Sequence, residues 1–298
     1  MELSQYVTAR PLHCVIIASN GVNICRLVCV EMKTTTLILN LALLAALPVA
    51  GNEHTLRYHL AGGMQLNMVQ EIYVGDRSEA IATRNFSMTL DLGDTQGNDE
   101  LLVELASING NYTAHGMNQR LTTSRLTGSE FTLLGDGRSF KSQKGGGEVN
   151  LGTITDGGLR PSELLAGLLP TLPDGPVSIG TTWNTNRTVL SLAAWAWASG
   201  KMQHHHTVTD IRLANGGRVV YVKTHGETEI ESSDGHDGFL GSGALSQDID
   251  WVFDADAGQL LSLSVKRKTN GTNQLPQGEV SVRQIARFEL QSLDGASR

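Results

Sequence analysis

Apolar and polar side chains alternate along much of the chain beyond residue 55. That is the period of a strand with one buried face. In the run 86–92, Phe86, Met88, Leu90 and Leu92 share one side, with Ser87, Thr89 and Asp91 on the other. Ile249, Trp251 and Phe253 repeat the pattern, and so do Leu261, Leu263 and Val265. Between those two runs lies Asp254-Ala-Asp-Ala-Gly258, which predicts a hairpin turn. Asn215-Gly216-Gly217 separates 207–213 from 218–223 and predicts a second hairpin. Val280 and Val282 open a last strand, and a change of pattern before Ala286, Phe288 and Leu290 predicts a bulge.

One helix is predicted, over 161–169. Pro161 and Ser162 open it, Pro170 closes it, and Leu164, Leu165, Leu168 and Leu169 form its apolar side. A proline-rich stretch follows, so residues 144–181 read as a crossover between an N-terminal β half at 52–143 and a C-terminal β half at 182–298. Residues 193–198 fit strand or helix. The expected fold class is mainly β and antiparallel: one strongly curved sheet, or two β lobes, with one short central helix.

The first 51 residues have a different pattern. Met32-Lys33 precedes the apolar stretch Leu37–Leu47, and Pro48-Val49-Ala50-Gly51 follows it. A positive start, a short apolar run and a small-residue exit build a secretory signal peptide over 32–51. The run is too short for a membrane-spanning helix, so no transmembrane segment is expected in the mature chain. Residues 1–31 read as an upstream start-site extension. Cys14, Cys25 and Cys29 all precede Met32, so the exported part has no disulfide or thiol chemistry. The expected location is periplasmic or secreted.

Composition narrows the partners. Glycine is frequent, at 33 of 298 residues, and suits many tight turns. The net charge is −7, and no Lys/Arg cluster offers a phosphate-binding surface. Nucleic acid is therefore not an expected partner.

Tyr58-His-Leu-Ala-Gly-Gly63, the Leu172–Trp183 stretch Leu-Pro-Asp-Gly-Pro-Val-Ser-Ile-Gly-Thr-Thr-Trp, and the hairpin Trp251–Leu260 carry a resemblance. Together they resemble an uncharacterised family of bacterial exported, β-rich, often lipoprotein-like proteins, over roughly residues 55–290. The resemblance implies export and a β-rich fold, and it carries no catalytic residues. The chain lacks a cysteine just after the apolar run, where a lipid would be attached.

The chemistry-bearing clusters are few. His204-His205-His206 offers imidazoles, and on a strand His204 and His206 share a face as a candidate metal pair. A third ligand would have to come from His225 or the stretch around His236. The plainer reading is a solvated strand end. Asp254–Gly258 lacks the third carboxylate and the terminal glutamate of a calcium loop. Glu227, Glu229 and Glu231 form the wet side of a strand. Asn85, Asn111, Asn186 and Asn270 open Asn-x-Ser/Thr triplets, which chance explains in so Thr- and Asn-rich a chain. No nucleophile elbow, zinc-protease helix or phosphate loop occurs. Trp183, Trp195, Trp197 and Trp251 suit core packing. Alternatively, Trp195 and Trp197 line an apolar cleft with Leu164 and Leu168.

The expectation is therefore a non-catalytic exported binding protein with no cofactor. It would hold an apolar small molecule or lipid between sheet and helix, through Leu164, Leu168, Trp195 and Trp197. The alternative is an envelope assembly or protein-interaction protein. A metal-assisted hydrolase at His204 and His206 is the distant third.

Overall fold

The computed structural model describes residues 54–293, apart from 94–99, 115, 121–126, 144–159, 194–195, 215–216, 233–240 and 276–277. Residues 52–298 form one compact unit. The elements run β1 (His54–Thr55), β2 (Gly62–Val74), β3 (Ala82–Leu92), β4 (Glu100–Ala114), β5 (Met117–Arg120), β6 (Ser129–Gly135) and β7 (Phe140–Ser142). Helix α1 (Pro161–Leu168) and β8 (Pro176–Val177) follow. The chain continues through β9 (Thr182–Ala193), β10 (Ala196–Ala214), β11 (Gly217–Ser232), β12 (Gly241–Asp254), β13 (Gln259–Leu275) and β14 (Gly278–Ser292). Among the described residues the fold is mainly β and antiparallel, as the alternation predicts, with one short helix.

The main sheet has the order β7-β6-β4-β3-β2-β14-β13-β12-β11-β10-β9, with β5 paired to β4. β1 and β8 form a separate two-stranded ladder. The two expected halves are therefore one sheet, stitched where β14 pairs with β2 from Val282↔Val74 to Ser292↔Met64. Both expected hairpins form. β10 and β11 pair down to Ala214↔Gly217, and β12 and β13 down to Asp254↔Gln259. In the second turn the Asp254 carboxylate accepts from the amides of Asp256 and Ala257 at 3.0 and 2.9 Å. Gly258 closes that turn at φ +70°, and a Cβ there would meet the Arg57 carbonyl at 2.8 Å.

The expected bulge in the last strand is absent. β14 pairs without a register shift on both sides. Val280, Val282, Ala286, Phe288 and Leu290 all have the same parity. What interrupts the apolar pattern is Gln284, which takes an inward place and is buried.

The helix starts and stops as its residues dictate. The Glu163 carboxylate accepts from the Arg160 amide at 3.2 Å, and Pro161 needs no partner for a missing N–H. Leu169 donates the last helical bond to Leu165, and Pro170 cannot continue it.

One face of the sheet is buried along nearly every strand. At one end of that face, called here the helix end, Leu164, Leu165 and Leu168 pack into a core with Leu66, Met88, Val103, Trp251, Phe253 and Phe288. The extended segment Leu56–Leu60 joins them. Tyr58 packs on Phe140 at 5.1 Å and on Phe253 at 5.5 Å, and its hydroxyl donates to the Pro170 carbonyl at 2.7 Å.

Candidate functional site

The far end of the same buried face is built differently. In-register pairing sets Tyr112, Arg84, Gln70, Ala286, Arg267, Gln247, Gly226, His204 and Thr185 side by side from β4 to β9. This row is polar over most of its length, and Gln70, Arg84, Gln247 and His204 in it are buried. Arg84 donates to Gln70 Oε1 at 3.2 Å and lies 5.1 Å from the Tyr112 ring. Arg267 donates through Nε and Nη2 to Gln247 Oε1 at 3.2 and 3.0 Å, and its guanidinium faces Phe288. Burial pushes the pKa of Arg267 down to about 10 and lowers that of Arg84.

Two small apolar clusters lie beyond the row. Met202, Ile230 and Leu245 form one, on β10, β11 and β12. Ile72, Ala82 and Ala114 form the other, with Ile81, Tyr112 and Val282 against it. Among the described residues the first is separate from the main core, whereas Tyr112 packs against both the second and the main core. Gln284 sits next to Ile72 in register, and its buried Oε1 accepts no hydrogen bond.

The histidines fall on both faces. His205 is exposed on the outer face and meets Asn184 Oδ1 at 2.8 Å. His204 and His206 are not at a solvated strand end. They are 3 % and 2 % exposed, with ring centres 6.1 Å apart. His206 is fully engaged. Its Nδ1 lies 2.7 Å from Thr224 Oγ1, its Nε2 lies 2.8 Å from Thr185 Oγ1, and its ring stacks on Trp183 at 4.7 Å. Trp251 donates to the same Thr224 oxygen at 3.1 Å. A proton on Nε2, with Thr224 donating to Nδ1, satisfies every group in this chain. Burial keeps both imidazoles neutral, at about 4 for His204 and about 3 for His206, with help from the Arg187 charge.

His204 differs from His206 in one respect: its buried Nε2 has no hydrogen-bond partner. Its position depends on Gly226 across the ladder. A Cβ at 226 would come within 2.7 Å of His204 Cδ2 and of Met202 Sδ. Arg187 on β9 is fixed nearby, donating to Thr171 Oγ1 at 2.8 Å and to the Ala166 carbonyl at 3.3 Å.

The metal reading of His204 and His206 finds no third ligand. Among the described residues no three His, Cys, Asp or Glu side chains gather for a metal. His225 pairs opposite His205, so it lies on the outer face. There it binds Asp248 at 2.7 Å, which holds its pKa up. His236 lies outside the described residues. Asp256 is held by Arg218 at 2.6 Å and serves the hairpin. Glu227 and Glu229 are exposed, as a wet strand face requires.

The four cleft residues divide. Leu164 and Leu168 are buried in the main core, at 6 % and 1 % exposed. Trp195 and the side chain of Trp197 lie outside the described residues. A groove of about 800 Å³ lies on the opposite, outer face, lined by Asn67, Asn85, Ser87, Asn109 and Asn111, so it is not the space between sheet and helix. Sequence reading missed Gln70, Arg84, Gln247, Arg267 and Gln284 as a set. Each does carry a signal: a polar side chain at the inward parity of an alternating strand.

No protein-family model matches the chain, and no curated protein matches it either. Among the described residues no helix is long and apolar enough to cross a membrane.

Proposed function

We propose that this is an exported, non-catalytic binding protein that holds a lipid-like ligand against the inner face of a strongly curved sheet. The observation that carries the reading is the far end of that face. It combines a buried polar row with two small apolar clusters, of which the Met202–Ile230–Leu245 one is separate from the main core among the described residues. A finished core would be apolar and continuous there, whereas a ligand site needs apolar surface with a few placed polar groups.

Two contacts support the curvature. Phe140 on β7 and Phe253 on β12 both pack on Tyr58, although six strands separate them in the sheet order. A flat sheet would hold those strands about 34 Å apart at ~4.8 Å per step. Helix α1 packs on β6 and β7 and also accepts a hydrogen bond from Arg187 on β9, the opposite edge strand. The likeness to exported bacterial β-rich proteins and the signal-like stretch at 32–51 support a periplasmic or secreted location.

The test is the native and denatured mass of the protein purified gently after export. Extra native mass that extracts as lipid supports the reading. A bare native mass, unchanged after incubation with lipid extract, rejects it. The denatured mass locates the processing site. A second reading, a partner protein in the envelope, is favoured by β9, whose outer edge pairs with no strand among the described residues. A stable complex formed by the wild-type protein and lost on placing a proline at Asn186 supports that reading.

A further inference from the structure

Resting on that reading, we infer that the ligand is an amphiphile with an anionic head group, and that His204, Arg187 and Arg267 seat the head while Met202, Ile230 and Leu245 meet the tail.

His204 is the centre of the argument. It is 3 % exposed, and its Nε2 is buried without a hydrogen-bond partner. An unsatisfied buried polar atom calls for an explanation. The fold makes room for this ring deliberately: only a residue without a Cβ at 226 lets the imidazole and Met202 lie across β11. A neutral imidazole with its proton on Nε2 presents a donor there.

The surrounding charge sets the sign of what that donor meets. Among the described residues the charges that lower the His204 pKa are Arg187, Arg267 and His225, all positive. Arg187 and Arg267 stand on β9 and β13, on either side of the His204–Gly226–Gln247 stretch of the row. Thr171 and the Ala166 carbonyl hold one guanidinium, and Gln247 holds the other, so both are fixed before anything binds. A cationic head group would be repelled. A neutral one would gain only the imidazole bond. An anion gains charge-assisted bonds in a water-poor site, where they are strongest. Met202 connects head and tail, because it neighbours His204 on the inward side of β10 and packs with Ile230 and Leu245.

The experiment uses the exported, delipidated protein and three probes of equal chain length: oleate, oleyl phosphate and oleyl alcohol. Affinity is read by calorimetry. At least one anion is expected to bind about tenfold or more tightly than the alcohol, and the tighter anion tells a carboxylate head from a phosphate head. His204→Phe is expected to weaken the anion about tenfold and the alcohol less, because the alcohol loses only a neutral hydrogen bond. Equal affinity for all three probes overturns the anionic head group and leaves the lipid-binding reading standing. No binding of any probe overturns both. If His204→Phe weakens alcohol and anion alike, the residue is structural and its assignment falls. The comparison of probes on the unchanged protein decides the head group even if the variant does not fold.

Discussion

On β12, Leu245, Gln247, Ile249, Trp251 and Phe253 all face the same way, and all are buried. The last three sit at the helix end, within a core that the helix and the Leu56–Leu60 segment complete. The first two sit at the far end, in a polar row and a three-residue cluster. The same strands thus carry two kinds of interior. At the helix end, contacts come from shape and apolar area, and Phe140, Tyr58, Phe253 and Trp251 form a chain of ring contacts. At the far end, hydrogen bonds and charge organise the face, and His204 Nε2 and Gln284 Oε1 are buried without a partner. Stability belongs to the first region. The second is where the protein has side chains to spare for something else.

Removing Phe253 should show the largest effect. Phe253→Ala empties a site with no exposure in the main core, and about 3–5 kcal/mol of stability should be lost in denaturant unfolding. A loss under 1 kcal/mol would mean that the helix end is not the stabilising region.

Acidification probes the far end and its border. His204 and His206 have folded pKa values well below the unfolded 6.5. The unfolded chain therefore takes up protons first as pH falls. Their contribution is fully present above about 6.5 and declines below it, by about 1.4 kcal/mol per pH unit for each histidine until the folded values are reached. Between pH 7 and 5 the protein should lose about 2–4 kcal/mol. His225 acts in the opposite sense, because its pairing with Asp248 raises its pKa. Its stabilisation is lost as pH rises, and solvent screens it. In the variant H204Q/H206Q the loss of stability on acidification should disappear over this window, leaving only the small opposite slope of His225. A loss that persists assigns the pH response to other groups.

Gly226→Ala should cost about 1–3 kcal/mol, because the new methyl must displace His204 and Met202. The imidazole NMR signals of His204 should move while those of His225 stay. Unmoved His204 signals would detach the ring from Gly226.

The smallest effect sharpens the contrast. Gln284→Leu replaces a buried unsatisfied oxygen beside Ile72 with an apolar group, so stability should change by less than about 1 kcal/mol or rise slightly. A loss as large as that of Phe253→Ala would make the far end a second structural core.

Much of this architecture can be read from the residues alone. Period-two alternation in Phe86–Leu92 and Ile249–Phe253 marks strands with one buried face, and a turn such as Asp254–Gly258 marks where the chain reverses. Helix α1 is equally legible from Pro161, Glu163, four leucines and Pro170. The bulge expected in β14 shows the limit. A polar residue inside an alternating run looks like a break in phase, whereas Gln284 keeps the phase and is itself buried. The histidines show the same limit from the other side: three in a row look solvated until their strand is placed between β9 and β11, where His204 and His206 face the buried side and His205 the outer one.

The sequence by itself determined which segments extend, where they turn, and which side of each strand is apolar, because those properties depend on neighbours only a few residues away. It also determined helix α1 and the pattern of residues 32–51. Tertiary structure alone decided that β2 joins β14, which makes one sheet of two halves. It alone aligned Arg84, Gln70, Arg267, Gln247 and His204 into one row. Those residues come from five strands spread over more than 180 positions of the chain. Only register between strands, fixed by the packing of the whole buried face, sets them side by side.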